Sequence, residues 1–162
     1  MRRRSSNGPA RLVVLALAAG CAINVAHAAL ALEASAKAAQ NPPVKQSVWD
    51  GVYTDAQATR GERTYGRSCE QCHGADLSGD PVMEIPALSL DSFMTSWNGK
   101  SVKDLFDTVK RSMPKDKPGS LGTGAYIDVV SYLLQANRFP SGTRELSRAP
   151  EQLDGILIER SK

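Results

Sequence analysis

Residues 69 to 74 read Cys69-Glu70-Gln71-Cys72-His73-Gly74, and this stretch decides the reading of the whole chain. Two cysteines and a histidine within five positions can hold a zinc ion, run a redox dithiol or anchor a covalent haem. Structural zinc needs four ligands, and catalytic zinc needs three with an open position. After position 28 the chain has no cysteine or histidine beyond Cys69, Cys72 and His73. A carboxylate would have to complete the set, and His73 follows Cys72 without a spacer, which makes tetrahedral convergence awkward. A thioredoxin-like dithiol belongs at a helix start within a strand-helix-strand pattern. Here a helical pattern precedes the cysteines and no segment has a period of two. The remaining chemistry is c-type haem attachment, whose signature is C-x-x-C-H. Each thiol adds to a haem vinyl group as a thioether, and the adjacent imidazole is thereby placed under the iron.

The flanking sequence is consistent with an exported protein. Residues 1–28 hold Arg2, Arg3, Arg4 and Arg11 with no acid, then an apolar run from Leu12 to Ala22, then Ala26-His27-Ala28. A positive start, an apolar stretch and a small-x-small end are the marks of a secretory signal peptide. The run is short for a spanning helix, which needs about 20 predominantly apolar residues. Leu17-Ala18-Ala19-Gly20-Cys21 also resembles a lipoprotein box, with alanine where leucine is usual three residues before the cysteine. Membrane anchoring is expected only if Cys21 is lipidated. The formal charge of +3 comes from the leader: without its four arginines, 16 basic residues face 17 acidic ones. That balance implies no nucleic-acid-binding tail.

Residues 29–48 are Ala-rich and turn to Asn41-Pro42-Pro43, a linker composition, and the folded domain is expected over 49–140. Thr54-Asp55-Ala56-Gln57 is a capping-box pattern opening a helix from Asp55 to about Ser68. Gly61 inside it is either a tolerated glycine or a close helix crossing. Residues 74–90, with two glycines and two prolines, predict a loop, and Asp91 to Trp97 a short helix. Ser101 caps the next helix, whose Val102, Leu105, Phe106 and Val109 recur at helical spacing and which ends before Met113-Pro114. The last strong helix runs from about Gly124 to Ala136, with Tyr126, Val129, Val130, Leu133 and Leu134 on one face. Residues 141–162 are expected as a tail whose Leu153, Ile156, Leu157 and Ile158 pack back on the surface. The fold class is all-α: three main helices, a short helix and loops around one covalent haem. An aromatic share of only 6% leaves room for a cofactor to supply apolar bulk.

An electron carrier needs its sixth iron position filled, and methionine opposite histidine raises the potential. Met83 lies ten residues after His73 in a Pro-bounded loop, with little chain to travel around the ring. Met94 falls in the apolar half of a short helix, where core packing is the commoner role. Met113 follows a helix 40 residues from His73, beside Pro114, and is the strongest candidate.

Together these features resemble class I cytochrome c over approximately Trp49 to Pro140: Gly61, Tyr65, Cys69-x-x-Cys72-His73-Gly74, Pro86-x-Leu88, Trp97, Met113-Pro114 and an aromatic in the final helix. The resemblance implies haem c with iron, cofactor-binding Cys69, Cys72, His73, Met113, Pro86 and Trp97, and metal ligands His73 and Met113. It implies that the first and last helices cross at Gly61 and Tyr132. It also implies that the Pro86 carbonyl accepts the Nδ1 hydrogen of His73, an ordinary loop proline being the plainer alternative. Trp97 resembles a tryptophan near the haem propionates, beside the alternative of a core residue. Within class I, Trp97 to Phe106, Met113-Pro114 and Pro118-Gly119-Ser120-Leu121 resemble a bacterial group found beside periplasmic quinoprotein alcohol dehydrogenases.

The expected function is one-electron transfer in the periplasm between redox partner proteins. Candidate partners are a quinoprotein dehydrogenase as donor and a terminal oxidase or another cytochrome as acceptor. No catalytic residue is assigned, since no substrate bond is made. The alternative is a haem enzyme of peroxidase type or a gas sensor, either of which needs an open or easily vacated sixth position. Six basic residues against three acids from Asn98 to Pro118 are expected either to steer an acidic partner or to form a solvated face.

Overall fold

The computed structural model describes residues 45–161. The leader expected over 1–28, Cys21 and most of the expected linker lie outside the described residues. Strand β1 (Gln46–Ser47) leads into a 3-10 turn, Val48–Asp50. Helix α1 (Asp55–Ser68) is followed directly by the single turn α2 (Glu70–His73). Then come α3 (Leu90–Trp97), α4 (Val102–Ser112) and α5 (Thr123–Ala136). A second 3-10 turn, Pro150–Leu153, and strand β2 (Ile156–Leu157) close the chain.

Two of the three main helices, α1 and α4, start at a side-chain cap. The Thr54 hydroxyl accepts the Gln57 amide at 3.2 Å, which satisfies one of the unpaired donors of a helix start. The reciprocal half of the expected capping box does not form, because Gln57 is buried and used elsewhere. Its Nε2 donates to the Leu146 carbonyl at 3.1 Å and its Oε1 accepts the Leu146 amide at 2.7 Å. Ser101 and Asp104 make the complete box at α4: the Ser101 hydroxyl accepts the Asp104 amide at 3.1 Å, and Asp104 accepts the Ser101 amide at 2.9 Å.

Helices α1 and α5 cross at Gly61. A Cβ there would stand 1.8 Å from the Asp128 carbonyl oxygen and 2.9 Å from Tyr132 Cβ, so only glycine permits the approach. Tyr65 and Tyr132 then stack at 5.2 Å between ring centroids. Helix α5 is buried more completely than one apolar face predicts, since Ile127, Asp128 and Ser131 are buried too. Arg60 explains the acid: its guanidinium donates to both Asp128 oxygens at 3.1 and 3.2 Å.

The last residues depart most from expectation. Leu146, Leu153, Ile156 and Ile158 are core residues rather than a surface-packed tail. Gln46 and Ser47 pair in parallel with Ile156 and Leu157, the only strands among the described residues, so the fold is helical with a minimal sheet. On the other side, Gly99 donates to the Ile158 carbonyl at 2.8 Å and Ile158 to the Lys100 carbonyl at 2.9 Å. The segment therefore joins the start of the domain to the α3–α4 turn. Two-residue strands leave no periodic trace in a sequence.

Candidate functional site

Helix α1 delivers the cysteine motif. Cys69 interrupts the helix at φ −132°, and its carbonyl accepts the amides of Cys72 and His73 at 3.1 and 3.0 Å. Gly74, at φ +77°, ends the turn, and Tyr65 of α1 donates its hydroxyl to the Gly74 carbonyl at 2.7 Å. Burial, and then the neighbouring Tyr132, pushes the Tyr65 phenol above its ordinary value, so it stays a donor. The motif is thus pinned at both ends to one helix.

His73 is buried, and its Nδ1 lies 3.1 Å from the Pro86 carbonyl oxygen. A carbonyl only accepts, so Nδ1 carries the proton and Nε2 of the neutral ring presents its lone pair. The intervening loop is built to deliver that carbonyl. Gly79, at φ +66°, lets the chain fold back so closely that a Cβ there would lie 2.4 Å from the Ile85 oxygen. Asp80 and Ile85 exchange backbone bonds at 3.0 and 2.8 Å, and Asp80 Oδ1 accepts the amides of Val82 and Met83.

No disulfide joins Cys69, which is half-buried, to Cys72, which is exposed. Burial first, and then Cys72, pushes the Cys69 thiol up to about 11. That is opposite to the lowered thiol of a dithiol oxidoreductase. Among the described residues no three His, Cys, Asp or Glu side chains converge as a metal cluster. Haem attachment needs no such convergence, because of the motif's three groups the two sulfurs would form covalent bonds and only the imidazole would bind iron. Cys69, Leu88, Met94, Trp97, Val109 and Leu121 are among the apolar residues that pack on the core while remaining partly exposed. The donor set, two thiols and an imidazole oriented by the Pro86 carbonyl, fits a haem.

The other expected residues lie as follows. Trp97 ends α3, half-buried, with the Lys100 ammonium 5.0 Å from its ring centroid. Met83 is 71% exposed at a loop tip, while Met94 packs against the core. Met113 follows α4, half-buried, its amide donating to Val109 and its carbonyl accepting the Tyr126 hydroxyl at 2.7 Å. His73 and Pro86 meet directly. Among the described residues no hydrogen bond joins Trp97 or Met113 to His73.

Residues 56–133 match the family model described as cytochrome C oxidase, cbb3-type, subunit III. The match supports a c-type cytochrome. It spans the Cys69–His73 motif, Pro86, Trp97 and Met113, and the five-helix arrangement is compatible with a cytochrome c fold. No curated protein and no solved structure matches the chain. A cytochrome c family implies haem c with iron and redox partner proteins, and such domains generally carry electrons rather than act as enzymes.

Sequence reasoning misses three polar residues of this domain. Gln57 reads as a cap, and Tyr126 as one member of an apolar stripe. Asn137 carries no motif, yet it donates to the Leu88 carbonyl at 3.0 Å and accepts the Leu90 amide at 2.7 Å. It thereby ties the end of α5 to the segment after Pro86. A polar residue closing a helix before an aromatic-proline pair is the only signal it gives.

Proposed function

We propose that the protein is a periplasmic one-electron carrier with a single covalent haem held by Cys69, Cys72, His73 and Met113. The bond from His73 Nδ1 to the Pro86 carbonyl carries this reading, since it fixes the tautomer and aims Nε2 as a ligand. When bound, haem supplies a one-electron iron couple. Cys69 and Cys72 would hold it by thioether bonds, His73 and Met113 would supply nitrogen and sulfur, and Trp97 would contribute to its binding. A permanent sulfur ligand keeps small molecules out and lets the site change charge with little rearrangement. The resemblance of residues 97–121 to cytochromes found beside quinoprotein alcohol dehydrogenases supports such an enzyme as donor. A terminal oxidase or another cytochrome is then the acceptor.

The test is expression with haem-attachment machinery, followed by intact mass and spectra. The expected mass is that of the chain after residue 28 plus one haem. The expected ferric spectrum has a far-red sulfur-to-iron band, lost in Met113→Ala. A high-spin wild-type spectrum with rapid carbon monoxide binding would instead establish the enzyme or sensor alternative. Electron uptake from a purified quinoprotein dehydrogenase checks the partner.

A further inference from the structure

We infer that Tyr126 is a positioning residue that holds the Met113 loop closed and so keeps the methionine sulfur in place. This rests on Met113 as sixth ligand, as proposed above. The Tyr126 side chain is 1% exposed and stands in the first turn of α5, where its own amide donates to the Gly122 carbonyl at 3.2 Å. Its hydroxyl donates to the Met113 carbonyl at 2.7 Å and accepts the Leu121 amide at 3.4 Å. One oxygen therefore joins both ends of the nine-residue segment 113–121 to the buried helix.

The Met113 amide donates to the Val109 carbonyl of α4 at 2.9 Å, but among the described residues no hydrogen bond joins residues 114–120 to a helix. Residues 115–120 are all exposed, and none contributes to the core. The internal bonds, Lys117 amide to Pro114 carbonyl at 3.0 Å and Ser120 amide to Lys117 carbonyl at 3.2 Å, are local turns that hold the loop's shape rather than its position. The Gly119 amide reaches the Met113 carbonyl at 3.3 Å, again within the loop. Leu121, half-buried, packs on the core only at the far end. Phenylalanine at 126 would keep the ring and its packing while removing both tethers. A side chain that holds a ligand by its own backbone carbonyl acts on the ligand's escape rather than on its chemistry.

Competition by imidazole at the ferric holoprotein reads that escape. In Tyr126→Phe, imidazole affinity is expected to rise about five- to tenfold, the effect of removing one or two net hydrogen bonds from the closed loop. The amides of Gly119 and Leu121 are expected to exchange faster with solvent. Tyr53→Phe serves as comparator, because it deletes a buried hydroxyl bond to the Phe139 carbonyl at 2.5 Å, in another part of the fold. It should lose comparable thermal stability with imidazole affinity unchanged. Equal imidazole affinity in wild type and Tyr126→Phe, or an equal rise in Tyr53→Phe, overturns the inference. If the wild type itself lacks the far-red band, Met113 is not the ligand and both readings fall together. If the band is present and Tyr126→Phe behaves as wild type, the inference alone fails.

Discussion

At the scale of single residues, the chemistry depends on where one proton sits. The Pro86 carbonyl holds the hydrogen of His73 Nδ1 and so increases electron donation from Nε2. With His73 as the proposed iron ligand, more donation would favour the ferric state, and a weaker bond should therefore raise the reduction potential. Gly79 controls that bond from a distance, because it alone allows the backbone around residues 85 and 86 to come so close. Gly79→Ala places a Cβ 2.4 Å from the Ile85 oxygen at a φ of +66°, where side chains are strained. We expect a loss of about 1–3 kcal/mol in stability, the usual cost of such strain, together with a rise in potential. Denaturant titration checks the first and spectroelectrochemistry the second. An unchanged potential despite lost stability would show that the loop deforms without moving Pro86.

At the scale of elements, two tests separate intrinsic helix preference from packing and charge. Gly61→Ala should gain about 1 kcal/mol from helix propensity alone. The Cβ at 1.8 Å from the Asp128 oxygen reverses the sign, and we expect a net loss of about 3 kcal/mol from overpacking, measured as a shift in urea midpoint. The α4 cap offers a pH test. The Ser101 amide, and then the Ser101 hydroxyl, holds the Asp104 carboxyl below its ordinary value. A folded pKa below the unfolded one gives stability that is present above the unfolded value and fades as pH falls through the folded one. The stability advantage of wild type over Asp104→Asn should thus be full at pH 7 and shrink below about pH 4. Urea midpoints of both proteins at the two pH values measure it. These helices were legible because their signals are local: Ser101 with Asp104, or Val102, Leu105, Phe106 and Val109, lie within a few turns of one another. The cysteine motif is visible for the same reason, since its three side chains stand in five positions. Gln57 with Leu146, and Tyr126 with Met113, are partnerships across 89 and 13 residues, and neither side chain's composition announces them. A tyrosine in an apolar stripe reads the same whether or not its hydroxyl is bonded.

At the scale of the whole molecule, the balance of charge matters less than which charges are free to act. Six cations lie between Asn98 and Pro118, but the structure engages half of them. Lys103 pairs with Asp107 at 2.5 Å, Lys110 bonds the Thr123 hydroxyl and covers the Phe106 ring, and Lys100 covers Trp97. Arg111, Lys115 and Lys117 are exposed, with no ion pair among the described residues. Lys115 and Lys117 also lie on the loop that begins at Met113, beside the proposed haem ligand. A partner approaching with acidic groups would feel these three cations most, and their field reaches about 8 Å at physiological ionic strength. Reversing Lys115 and Lys117 together to glutamate should slow electron uptake from an acidic partner by on the order of tenfold at low salt. The difference should nearly vanish at high salt, because screening removes steering but leaves the transfer step intact. Reversing Lys103 instead disrupts a helix pair and should change stability more than rate. Stopped-flow reduction across ionic strength, with the reduction potential of each variant measured alongside, makes the distinction. A salt-independent deficit in the double variant would mean that the loop was distorted, whereas a deficit that disappears with salt assigns the docking face to the Met113 side of the molecule.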